Sequence, residues 1–290
     1  MKNPRETLIA ALPVKERRLE LRGVSTAVLQ GGDGAPVVLL HGPSGYAAHW
    51  MGVLPGLLEH HRVIVPDLPG HGASRVVEGR LDAGQVLGWL DELISRTCAA
   101  PPLLVGQLLG GAIGMRFAIA HGARLRGLAL VDTFGLAPFR PAPQFAQALS
   151  AFAAEPGEAT HRSLWRYCAF DADALRARMG ERWAPFEAYN IERASAPEVQ
   201  AAVSALMAQF GVSPIEPSEL QGIRVPTALI WGRNDLATPL AVAEAAAARY
   251  GWPLHVIENA NDDPPVEQPE ALLSVLRPLL AEWSSAELAR

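Results

Sequence analysis

Leu103-Leu104-Val105-Gly106-Gln107-Leu108-Leu109-Gly110-Gly111 is the stretch on which the reading of this chain turns. A short apolar run of buried-strand type passes directly into a helical segment, with glycine two residues to either side of Leu108. Only small residues let a strand-to-helix turn close that tightly. The stretch lies in an uncharged run, Thr97 to Met115, of about membrane-spanning length. Pro101, Pro102 and four glycines interrupt that run, so it reads as loop, strand, turn and helix.

Working outward, strands and helices alternate on both sides. Arg17–Gly23 and Thr26–Gln30 read as two strands joined at Gly23, after a polar N-terminal arm. Pro36–Leu40 is a continuous apolar strand, followed by a helix from His49 to Glu59 and a strand over Arg62–Pro66. A helix over Asp82–Arg96 puts Val86, Leu87, Leu90, Leu93 and Ile94 on one face. Beyond the central stretch come a helix over Gly111–Ala120 and a strand over Leu128–Val131. The alternation stops near Thr133 and resumes with Thr227–Trp231, a helix Leu240–Tyr250, a strand Leu254–Glu258 and a helix from Pro269. Such alternation predicts an α/β fold, a mostly parallel, doubly wound sheet covered on both faces. The intervening segment has helical patterning and no strand. The expected organisation is a core of 1–135 and 223–290 with an inserted helical cap at 136–222.

The chain has 290 residues, is 49% hydrophobic and 19% charged, and carries a net charge of −5. That is ample for a buried core and gives no reason to expect nucleic acid. No basic cluster suits an anionic membrane, and no signal peptide is legible: Leu8 to Leu12 is too short an apolar run. Cys98 and Cys168 cannot form a disulfide framework and read as free thiols. A cytoplasmic protein without cofactor or metal is expected; a homodimer stays open.

Five motifs occur in order. They are His41-Gly42; Asp67-Leu68-Pro69-Gly70-His71-Gly72-Ala73-Ser74; the central turn; Trp231-Gly232-Arg233-Asn234-Asp235; and Asn259 to Glu270, with Glu267-Gln268-Pro269-Glu270 setting the register. Together they resemble the α/β-hydrolase family, whose nucleophile elbow is G-x-S-x-G in a strand–turn–helix. The resemblance implies the doubly wound sheet with cap, an oxyanion loop at His41-Gly42, an acid at Asp235 and a histidine loop at Asn259–Glu270.

The reactive positions depart from that pattern. Leu108 stands where the family has its serine, and it has no lone pair with which to attack. The register places Asp262 at the histidine position, and no histidine follows His255. Pro43 follows the His-Gly pair and lacks the N–H that would serve as one oxyanion donor. Leu109 could still supply the other. A degenerate triad follows, and with it a protein that is no serine-type esterase.

What remains suggests other chemistry. Asp235 and Asp262 would face each other, and paired carboxylates can act as general acid and base. Gln107 and Ser44 are candidate ligand contacts, and His41 belongs to the same loop. Leu108 would floor an apolar pocket against cap aromatics such as Trp165 and Trp183. The expectation is a non-hydrolytic, cofactor-independent enzyme of isomerase, cyclase or lyase type acting on an apolar carbonyl-bearing small molecule. Its alternatives are a non-catalytic binding protein of the same fold, and a hydrolase in which a carboxylate activates water.

Overall fold

The computed structural model describes residues 3–285. Its strands are β1 (Lys15–Leu21), β2 (Val24–Gly31), β3 (Ala35–Leu40), β4 (His61–Pro66), β5 (Arg75–Val76), β6 (Leu103–Gln107), β7 (Gly127–Val131), β8 (Thr227–Gly232) and β9 (Leu254–Ile257). They form one sheet in the order β1-β2-β4-β3-β6-β7-β8-β9, with β5 pairing beside β2. From β4 to β9 the pairing is parallel; β1 and β2 are the antiparallel edge. The strand order reverses between β3 and β6. The loops after these two neighbours therefore diverge and leave a crevice at the carboxyl edge of the sheet.

Helices cover both faces: α1 (Pro4–Ile9), α2 (Leu54–Leu58), α3 (Ala83–Thr97), α4 (Leu109–His121), α5 (Pro143–Ala154), α6 (Glu158–Cys168), α7 (Ala172–Met179), α8 (Trp183–Ala194), α9 (Pro197–Leu206), α10 (Pro217–Leu220), α11 (Leu240–Tyr250), α12 (Pro264–Glu267) and α13 (Pro269–Ser285). Side chains alternate across the strands, so each face owns half of every buried run. Val37, Leu39, Val105 and Val131 pack with the α2 and α13 side, whereas Val38, Leu40, Leu104 and Leu130 pack with α3, α4 and α11. Helices α5 to α10 all fall between β7 and β8 and form the helical insert.

Two local expectations change. The helix expected over His49–Glu59 is a 3₁₀ turn, Ala47–Trp50, followed by the separate α2. Pro55 has no N–H to bond back to a preceding turn, so the helix starts afresh around it. The N-terminal arm also contains a helix. Asn3 caps α1 by accepting from the Arg5 N–H, and Pro4 opens it.

Candidate active site at the carboxyl edge of the sheet

The crevice is built around the turn from β6 to α4. Leu108 has φ 46° and ψ −108°, a conformation that costs a non-glycine residue on the order of 1–3 kcal/mol. Backbone hydrogen bonds hold it there. The Leu108 N–H donates to the Val131 carbonyl at 2.9 Å, and its carbonyl accepts from the Ala112 N–H at 3.1 Å and the Phe134 N–H at 3.2 Å. Glycines permit the approach. A Cβ on Gly106 would lie 2.5 Å from the Gly110 carbonyl oxygen, and one on Gly110 would collide with the backbone of Leu40. Leu108 itself is only 6% exposed and lies against Gly42. Leu109 begins α4, where the first N–H groups have no intrahelical acceptor.

The loop after β3 carries the next group. His41 Nε2 accepts from the Leu68 N–H at 2.9 Å, which leaves the proton on Nδ1, 2.7 Å from the Gly42 carbonyl. Both ring nitrogens are thus committed to loop structure. Burial holds the ring neutral, with its pKa well below the usual histidine value, and neighbouring His71 adds to this. Pro43 is half-buried; Ser44 is exposed, with φ 59°. The Asp67–Ser74 turn is similarly self-contained. Asp67 accepts from the N–H groups of Ala47 and Ala73, and the Ser74 hydroxyl donates to the Asp67 carbonyl.

Carboxyl groups crowd the other side. Asp235 Oδ1 accepts from the N–H groups of Ala237 (2.6 Å) and Thr238 (2.9 Å), and Oδ2 accepts from the Thr238 hydroxyl. It therefore closes its own turn. Burial raises its pKa to about 6, against the pull of those hydrogen bonds. Asp262 is buried and its Oδ1 has no hydrogen-bond partner among the described residues. Burial first, then the charge of Asp235, pushes it well above the carboxylate range. Gln107 Nε2 donates to the Asp262 carbonyl (3.0 Å) and to Asp263 Oδ1 (2.9 Å), clasping the loop to the base of the elbow.

Sequence reasoning missed three further carboxyls here. Asp132, directly after β7, is fully buried, accepts from the Gly232 N–H at 2.8 Å, and is raised by burial and by Asp235. Burial raises Asp263 to about 7. It raises Glu267 to about 8, against hydrogen bonds from the Phe170 and Asn261 N–H groups. An acid immediately after a buried strand was the available signal for Asp132. Among the described residues, no three His, Cys, Asp or Glu side chains are grouped to hold a metal ion.

The aromatic residues expected to face Leu108 pack on one another. Trp165 and Trp183 meet edge to face at 6.1 Å, with Phe186 5.1 Å from Trp165, and buried His161 lies among them. A cavity of about 320 Å³ opens instead beside the elbow, lined by Thr133, Phe134, Phe139, Thr238, Val242 and Arg140 among others. Thr133 joins it to the elbow, its hydroxyl lying 3.3 Å from the Leu108 carbonyl. Leu108, Asp262 and the two tryptophans do not line it.

The family model for the alpha/beta hydrolase family matches residues 37–275. The chain belongs to the α/β-hydrolase family. Among relatives in that family is the 2-hydroxy-6-oxo-2,4-heptadienoate hydrolase of Pseudomonas putida, 30% identical over 233 residues, covering 75% of this chain and 78% of the relative. The magnesium-chelatase 30 kDa subunit of Rhodobacter capsulatus is 31% identical over 229 residues, covering 75% and 76%. Among solved α/β-hydrolase structures, the 2-hydroxy-6-oxo-6-phenylhexa-2,4-dienoate hydrolase of Rhodococcus sp. strain RHA1 superposes with a TM-score of 0.80 at 24% identity, covering 94% of this chain and 99% of that one.

These relatives overturn the expectation of isomerase, cyclase or lyase chemistry run by Asp235 and Asp262. The similarity runs to named hydrolases and brings nothing of non-hydrolytic proton transfer. Geometry agrees for Asp235, whose oxygens are spent on closing the turn at Thr238. No helix among the described residues is long and apolar enough to cross a membrane.

Proposed function

We propose that this α/β-hydrolase family member binds a small apolar carbonyl compound in the cavity beside the elbow, without forming an acyl-enzyme. One observation carries the reading: Leu108 occupies an elbow whose strained backbone and supporting hydrogen bonds are in place. The frame that would present a nucleophile presents a side chain with no atom able to attack. Pro43 subtracts an N–H from the loop opposite, so a tetrahedral oxyanion there would lack a donor.

The cavity suits such a ligand. Its volume lies at the small end of the range for ligand pockets. Phe134, Phe139 and Val242 would meet the apolar body, while Arg140 would supply N–H groups to a carbonyl or carboxylate oxygen. The Pseudomonas putida relative is named for an oxo-dienoate, which has both parts. The Rhodobacter capsulatus relative is named as a subunit of a chelatase and not for hydrolysis. A binding role is thus in keeping with the family's range.

The test uses 4-phenyl-2-butanone as probe, followed by ligand-observed NMR, with p-nitrophenyl acetate as an ester substrate. The expected result is saturable binding that Val242→Trp abolishes by filling the cavity, with no ester hydrolysis above background. Hydrolysis by the unmodified protein, or probe binding indifferent to Val242→Trp, would overturn the reading.

A further inference from the structure

The sheet has a second recess, at the end away from the elbow. Strands β3 and β4 run parallel, with Pro36 opposite Arg62, so Arg62 lies at the amino edge while the elbow lies at the carboxyl edge. A cavity of about 620 Å³ opens there, lined by Leu12, Lys15, Arg17, Gln30, Asp33 and Arg62 among others. Register puts its polar members together. Lys15 lies opposite Gln30, Arg17 opposite Val28, and Gln30 opposite Ile64. Side chains alternate along a strand, so Lys15, Arg17, Gln30 and Arg62 share the face on which Val28 and Ile64 pack toward α3. Gly32, with φ 70°, brings the β2–β3 turn against the start of β4, where a Cβ would collide with the His61 carbonyl oxygen.

The cations of this recess have no anionic partner. Lys15 and Arg17 are exposed and make no ion pair or side-chain hydrogen bond among the described residues. Arg62 uses only Nε, which donates to the Thr97 carbonyl at 3.3 Å and leaves the two terminal nitrogens open. Other arginines differ: Arg5 pairs with Glu16 and Asp67, and Arg124 with Asp91. Gln30 is 8% exposed, and its side-chain amide has no hydrogen-bond partner among the described residues. A buried amide without a partner is costly, and a ligand that accepts from it removes that cost. Asp33 is the one acid in the lining, on the exposed β2–β3 turn.

We propose that this recess binds a small soluble molecule carrying two or more linked phosphate groups. Arginine meets phosphate oxygens through a planar fork and lysine as a point charge. Lys15 and Arg17 on β1 are separated from Arg62 on β4 by β2, a span of about 10 Å at the usual strand spacing. A single phosphate leaves some of these cations unanswered. A chain of phosphates meets the cations of both strands, with the Gln30 amide N–H donating between them. The recess shares no residue with the elbow crevice or the cavity beside it. The proposal is therefore independent of what binds there.

Isothermal titration calorimetry of the whole chain with sodium triphosphate tests it. The titration is run at about 0.15 M ionic strength, where exposed charges more than about 8 Å apart are largely screened. One saturable site per chain is expected. Arg17→Glu and Lys15→Glu should each weaken it about tenfold, and Gln30→Leu, which leaves the charge unchanged, several-fold. Arg18→Glu is the control, because Arg18 points to the opposite face of β1 and donates to the Ala73 carbonyl at 3.1 Å. Binding by that variant should match the unmodified protein. No saturation with triphosphate would overturn the proposal. So would equal losses in Arg17→Glu and Arg18→Glu, which would mark diffuse attraction to positive charge. A folded Gln30→Leu that binds as tightly as the unmodified protein would also overturn it; if that variant does not fold, the exposed Lys15, Arg17 and Arg18 variants decide. Phosphatidylglycerol vesicles separate a lipid headgroup from a soluble phosphate. The chain should stay in the supernatant, and sedimentation with the vesicles that Arg17→Glu abolishes would overturn a soluble ligand.

Discussion

The elbow and the loop after β9 face each other across the crevice, and they are held by opposite means. The elbow is a backbone object. Leu108 is fixed by carbonyls and N–H groups of β7, α4 and Phe134, with glycines giving the room. The Asp262 loop is a side-chain object. It is held by Gln107 and by hydrogen bonds into Glu267, among carboxyls whose pKa burial raises. A turn of the first kind tolerates a changed central side chain and keeps its shape. A loop of the second kind depends on pH and on each partner.

The largest effect should come from attacking the elbow's frame. Gly110→Val forces a branched side chain against the Leu40 backbone, which cannot retreat without breaking the β3–β6 pairing. Overpacking against backbone costs about 3 kcal/mol or more, and chemical denaturation should show a loss of that size or failure to fold. A tolerated Gly110→Val would mean that the elbow is not held as described.

Changing pH separates the two regions next. Asp263 and Glu267 have folded pKa values raised to about 7 and about 8. A carboxyl raised on folding stabilises fully below its unfolded pKa and loses that stability as pH climbs through the folded value. Buried His49, His71 and His161, lowered to about 4, act oppositely between pH 4 and 6.5, gaining stability as pH rises. Above about pH 7.5 the histidines are neutral in both states and only the carboxyls still titrate. Stability should therefore fall between pH 7.5 and 8.5, by about 1 kcal/mol. Asp263→Asn should flatten the slope. A Tm that rises over that interval would contradict protonated carboxyls in this loop.

Smaller effects separate the two regions further. Gln107→Leu removes both hydrogen bonds that clasp the Asp262 loop and leaves the Asp262 carbonyl without that donor, for a loss of about 1–3 kcal/mol in urea unfolding. Exchange should rise in residues 260–267 and not in β6. At the bottom of the scale, Arg233→Ala breaks an ion pair with Glu258 that lies in solvent. Such pairs contribute little, and no measurable change in Tm is expected.

This contrast also explains what the sequence disclosed. The sheet was legible because buried parallel strands write themselves as apolar runs, as in Val37–Leu40 and Leu103–Val105, and because Gly106 and Gly110 mark the elbow. The helical insert was legible as a gap in that alternation. Three features were not. Helix α1 was read as a polar arm, because Arg5 looks like a solvent-facing charge until Asp67 and Glu16 are brought to it. The 320 Å³ cavity joins Thr133–Arg140 to Ala237–Val242, segments distant in the chain and unremarkable in composition. The carboxyl environment depends on desolvation, which no local pattern records. Trp165 and Trp183 were found as aromatics, but their place in a self-packed cluster required the fold.

On the proposed reading the elbow keeps its strained strand-to-helix turn and lacks the atoms that would react. Installing them in the double variant Leu108→Ser/Asp262→His, with Asp235 left in place, tests it directly. A fluorophosphonate that labels activated serines is the reagent, with mass spectrometry to locate the adduct. No labelling of the unmodified protein is expected, and the double variant should be labelled at position 108. A folded double variant that stays unlabelled, or an unmodified protein that is labelled, would contradict it.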